Sequence, residues 1–227
     1  MKKKFAIFCI LLVSILSSRI YAYHGVTHGG LTNQVEEQTN YIDNYLKSVG
    51  FSGGRGTSFT LNADQYWVPE GESGRFVGAL SGGRDEIGEY YRAAEEANPY
   101  NFSSSGTTYT ALDWVIIGSI LEDVPLTRAQ NHFHDPTTLQ GLSDVLSGIS
   151  ARTWEFDDTT MDFRWSADEE HANVRLYQYK ALTSKEKEER EHWWALTLFG
   201  VGSLMHLLED MGVPEHVRDD FSRGIHV

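Results

Sequence analysis

The sequence predicts an all-α fold, a single multi-helix domain, on three observations. Apolar residues recur at helical spacing in six stretches, about 29–48, 85–97, 110–122, 138–150, 166–182 and 185–211. No stretch sustains the period-two alternation of a half-buried strand. A hydrophobic content of 41% in 227 residues is that of a globular chain with a real core.

Taken in order, residues 1–22 stand apart from that domain. MKKK is a basic start, FAIFCILLVSIL an apolar run of twelve, and SSRIYA an ending with Ala22 before a cut. This predicts a secretory signal peptide and an exported or periplasmic mature chain over 23–227. Twelve apolar residues are short of the roughly 20 that span a bilayer. After the first helix, nine of the 21 glycines fall between Gly50 and Gly83, which predicts a long irregular loop at about 50–83. The helix at 110–122 runs through WVIIGSILED and ends ahead of Pro125. The last helix joins a charged half, EKEEREH, to an almost wholly apolar half, WWALTLFGVGSLMHLL, and stops at Met211-Gly212-Val213-Pro214. A helix end this apolar belongs in the interior.

Removing residues 1–22 takes away Lys2, Lys3, Lys4 and Arg19 and no acid, so the formal charge moves from −13 to −17. Such a surface argues against wrapping long nucleic acid, which needs clustered Lys and Arg. It suits a protein that holds several cations. The one cysteine, Cys9, lies in the signal run, so the mature chain has no disulfide to brace it.

The chemistry-bearing residues gather at the helix ends. His206 and Asp210, at i and i+4, share one face of the last helix, where two side chains can hold one metal ion. A lone His in an apolar helix is ordinarily a hydrogen-bonded core residue, but a second feature adds weight. Glu209 and Asp210 sit at the negative end of the helix dipole, where each acid costs about 0.3–1 kcal/mol unless something positive offsets it. Glu122 and Asp123 repeat the pattern at the end of the 110–122 helix. Imidazoles lie close by in sequence: His132 and His134 in NHFHDP, and His24 and His28 in YHGVTH. Zinc favours imidazole together with carboxylate, whereas calcium and magnesium prefer oxygen alone. Glu122 and Asp123 differ by about 100° around their helix, and either could be the one that faces the ion.

With GSLMHLLEDMGVPEH and NHFHDP in this order, the chain from Tyr23 to about Asp220 resembles the superfamily of zinc-dependent phospholipases C and fungal single-strand nucleases. The first stretch is similar to that family's small-x-x-x-His-x-x-x-Asp-x5-His segment, and the second to its His-Phe-Tyr-Asp-Pro motif. The resemblance implies a helical secreted phosphodiesterase with two to three zinc ions. Asp123, His132, His206 and Asp210 would hold one zinc, with Asp210 bridging to a second. That second ion would also take His28 and the α-amino nitrogen and carbonyl oxygen of a mature N-terminal Tyr23. His216 would begin a third site, with His226 as its later His. The acid expected one turn beyond would lie past Val227, so the domain is read as lacking its C-terminal part. His226 is either that ligand or a tail residue.

The expected activity is hydrolysis of a phosphate ester, with Asp123 orienting or deprotonating the attacking water. Phospholipid head groups are the favoured substrate, and the aromatic stretch at Tyr66, Trp67 and Val68 is a candidate for peripheral membrane contact. Two other readings stay open: a single-strand-specific nuclease of the same superfamily, which can stack bases on aromatics without a large basic face, and a non-catalytic secreted helical protein stabilised by zinc.

Overall fold

The computed structural model describes residues 25–66, 106–122, 131–142, 148–156, 174–214 and 216–217. Helices dominate: α1 (Gly25–Thr39), α2 (Tyr41–Ser48), α3 (Ala111–Leu121), α4 (Ala151–Phe156), α5 (Val174–Thr183) and α6 (Lys187–Asp210). One small antiparallel sheet joins β1 (Ser58–Leu61) to β2 (Thr107–Thr110).

The 24-residue α6 is the spine of the molecule, with α3, α5, α1 and β1 packed on it. Its buried face begins at His192 and includes Trp193, Trp194, Leu196, Phe199 and Leu207. Trp114, Phe59, Leu46 and Tyr177 close around it from the neighbouring elements. The α3–α6 crossing is close because both helices carry glycine there. A Cβ on Gly118 would overlap the carbonyl oxygen of Phe199, and one on Gly202 would overlap that of Val115. Ser203 Oγ then donates across the crossing to the Gly118 carbonyl at 3.3 Å.

Several elements differ from the sequence expectation. The first predicted helix is two helices, because Asn40 adopts left-handed angles (φ 52°, ψ 31°) and turns the chain. Buried Glu36 then accepts from the backbone N–H of Ile42 and Asp43, each at 3.0 Å, and so caps α2 from outside it. The fold is mainly helical, not purely so. The described part of the predicted irregular loop, residues 50–66, contains a 3-10 turn at Gly54–Gly56 and then β1. Phe59 and Leu61 face the core, and Phe59 pairs with Tyr109 across the sheet. Thr110 ends β2 and caps α3 through a reciprocal pair with Asp113.

The helix expected at 138–150 is absent from its described ends. Asp135 accepts from the Thr137 N–H and from both Thr137 and Thr138 hydroxyls, and Leu139 takes φ 60°. A Cβ on Gly141 would fall 2.6 Å from the backbone nitrogen of Ser150. Residues nine apart in a helix are separated by about 13 Å along its axis, so this chain has folded back on itself. The helix forms later, as α4. His192, the last residue of the charged half EKEEREH, is fully buried and accepts from the Asn62 N–H at 3.1 Å. Tyr66 lies against that ring, with centroids 5.4 Å apart. Trp67 and Val68, the rest of the candidate membrane-contact stretch, fall outside the described residues, as do the signal-peptide segment, the predicted helix at 85–97 and the start of that at 166–182.

Candidate metal centre

At the carboxyl end of α6, side chains from five segments gather around one carboxylate, that of Asp210. His28 comes from α1, which sits close on α3 because Gly29 leaves room for Ile116 and Ile120. Glu122 follows the last turn of α3. His132 lies in the segment beyond it, and His206 and Asp210 belong to α6. After α6 the chain tightens through Gly212 N–H to Glu209 O and Val213 N–H to Asp210 O, and His216 comes back toward the helix end. The His134 N–H donates to the His216 carbonyl at 2.8 Å, which joins the two histidine-bearing loops.

Asp210 is the hub. Its Oδ2 lies 2.8 Å from His132 Nδ1, 3.2 Å from His206 Nε2 and 3.3 Å from His216 Nδ1, and its Oδ1 lies 3.5 Å from His28 Nε2. All five residues are buried. Burial alone would raise the Asp210 pKa, but the charge on His206 and hydrogen bonds from His132, His206 and His216 outweigh it, and the carboxyl is held well below the usual range. The His28 ring stacks on His206 at 3.7 Å, and His132 meets His206 edge-on at 4.8 Å.

The tautomers follow from the outer partners. His206 Nδ1 lies 2.6 Å from the Ser119 carbonyl oxygen, and a carbonyl only accepts, so Nδ1 carries the proton. His28 Nδ1 lies 2.7 Å from Glu209 Oε2 and donates in the same way. With Nδ1 so engaged, Nε2 is the atom that each ring turns toward Asp210, as a lone pair if the ring is neutral and as an N–H if it is charged. Lone pairs of two imidazoles facing a carboxylate repel unless positive charge lies between them, as protons on the rings or as a metal ion. His28, His206 and Asp210 form a possible metal-binding group, with one donor atom from each inside a mutual 4.8 Å.

Of the residues singled out by sequence, His28, His132, His206, Asp210 and His216 come together here. Tyr23, Asp123 and His226 lie outside the described residues. Glu122, the open alternative to Asp123, is fully buried with Oε1 3.8 Å from His132 Nε2. His134 instead pairs its Nδ1 with Ser150 Oγ at 2.8 Å. Sequence reasoning missed two partners. Glu209 was legible only as an acid in need of an offset, which His28 provides. The Ser119 carbonyl has no side-chain signal at all. Compared with family models, curated proteins and solved structures, the chain matches none.

Proposed function

We propose that the chain is a zinc-dependent phosphoric ester hydrolase of the phospholipase C type, exported and acting on phospholipid head-group esters. The observation that carries this reading is the convergence of His28 Nε2 and His206 Nε2 on the Asp210 carboxylate, at 3.5 and 3.2 Å, in a buried group whose donor atoms could share one metal ion. Mixed imidazole and carboxylate donors fit zinc better than calcium or magnesium.

In this reading His28, His206 and Asp210 would hold metal, and His132 and His216 would complete a centre of two to three ions with Tyr23, His226 and Asp123 or, in its place, Glu122. Zinc held by these residues would supply neutralisation of the phosphate oxygens and a coordinated water with its pKa lowered toward about 7. The chain's own residues do the rest. Ser119 O and Glu209 fix the tautomers of His206 and His28, and the stacked rings keep bulk water from the Asp210 side. Asp123 is the proposed base that orients or deprotonates the attacking water. The acidic net charge of −13 favours a small ester over long nucleic acid.

The test is zinc per chain by elemental mass spectrometry on exported protein, followed by hydrolysis of a chromogenic phosphocholine ester and of single-stranded DNA side by side. Two or more zinc ions and ester hydrolysis are expected, and Asp210→Asn should lose both. DNA cleavage without ester cleavage would assign the nuclease activity instead. Zinc without either turnover would mean a metal centre that only braces the fold, and an Asp210→Asn variant that keeps zinc and activity would overturn the assignment.

A further inference from the structure

We infer that Glu209 is the positioning residue of the metal centre, an outer carboxylate that locks His28 in the tautomer able to donate Nε2 to a metal. The inference rests on the zinc reading above but concerns a residue that lies outside the ligand set that reading names.

Glu209 and Asp210 are neighbours about 100° apart around α6, so their side chains leave the helix in different directions. Asp210 points among the four imidazoles. Glu209 reaches α1 instead, where Oε2 accepts from His28 Nδ1–H at 2.7 Å and Oε1 accepts from Thr32 Oγ–H at 3.3 Å. Thr32 is fully buried and stands one turn after His28. Both carboxylate oxygens are therefore engaged on one helix face, and the Glu209 side chain is itself only 13% exposed.

His206 gains the same Nδ1–H form from the Ser119 carbonyl, a backbone group that no substitution removes. His28 depends on a side chain. A carboxylate behind a metal-ligating imidazole orients the ring, fixes its tautomer and makes the far nitrogen a stronger donor, and losing such a partner typically weakens metal binding about 10–100-fold. Glu209 also gives an acid at the negative end of α6 a structural reason to be there.

The experiment uses the full mature chain as wild type, Glu209→Ala, Glu209→Gln and Thr32→Val. Zinc affinity is measured by competition with a chromogenic chelator. The His28 ring tautomer is read in the zinc-free proteins by long-range nitrogen–proton NMR. We expect wild type to show Nδ1–H, and Glu209→Ala to release that tautomer and bind zinc about 10–100-fold more weakly. Glu209→Gln keeps the shape and one oxygen acceptor but loses the charge, so it should recover only part of the loss, whereas a merely packing role would predict full recovery. Thr32→Val should have the smallest effect. Variants that match wild type in affinity and tautomer would overturn the inference and leave the zinc reading standing. A wild-type chain that binds no zinc would overturn the zinc reading, and the tautomer in that same sample would decide the Glu209–His28 clamp by itself.

Discussion

Asp135 shows at a single residue how a short polar run fixes a loop beside the metal centre. Hydrogen bonds from the Thr137 hydroxyl and N–H, with a further one from the Thr138 hydroxyl, hold its carboxyl down at about 2. A carboxyl lowered in the fold contributes fully above its unfolded value of about 3.9, and that contribution is lost as pH falls through the folded value. The turn should therefore survive mild acid. A carbon-detected NMR titration is expected to give a midpoint near 2 for Asp135; a midpoint at the ordinary value would mean that the turn is open in solution. Leu139, at φ 60° and 55% exposed, closes the same turn, so an intact turn keeps an unusual backbone in place.

Among the elements, the α3–α6 crossing sets where the metal-binding atoms lie. Gly118 precedes Ser119, whose carbonyl holds His206, so widening the crossing would move the outer partner from its ring. Gly118→Ala drives a methyl into the Phe199 carbonyl and should cost about 1–3 kcal/mol in urea unfolding, with weakened zinc retention. Gly30→Ala is the control. That glycine is exposed on α1 with nothing within 4 Å of an added Cβ, and the better helix propensity of alanine should stabilise by up to about 1 kcal/mol. Equal stabilities for the two variants would show that the crossing tolerates more than its geometry implies. The helices at this crossing were legible in sequence because their apolar runs are long and end in clear stops. The four-residue strands were not. Each is too short to display alternation, and their partners stand almost fifty residues apart, as in Thr60 with Thr108. The break at Asn40 was hidden for a different reason, since one left-handed residue leaves the apolar spacing on either side intact.

For the molecule as a whole, the candidate metal centre is a tie between segments remote in sequence. Ligands that bind only the folded chain stabilise it by mass action, about 2.7 kcal/mol at a free concentration 100 times the dissociation constant. A chelator is therefore expected to lower the melting temperature of the wild-type protein and to leave that of Asp210→Asn unchanged, as read by scanning calorimetry; an equal fall in both would place the stabilising ion elsewhere. The α6 part of this tie was legible, because His206 and Asp210 are one turn apart on a single helix. Glu122 against Asp123 was not, because periodicity alone does not orient neighbours at a helix end. The contact of His28 with Glu209 spans 181 residues, and nothing local to either residue announces it.

That span also has a meaning in time. A chain made from its N-terminus at about 5–20 residues per second carries His28 for roughly 9–36 s before Glu209 exists to hold it. The Asp210 hub is synthesised one residue later still. The group is therefore a late event in the life of the polypeptide, and a metal captured through it would report that α6 has been completed and has docked.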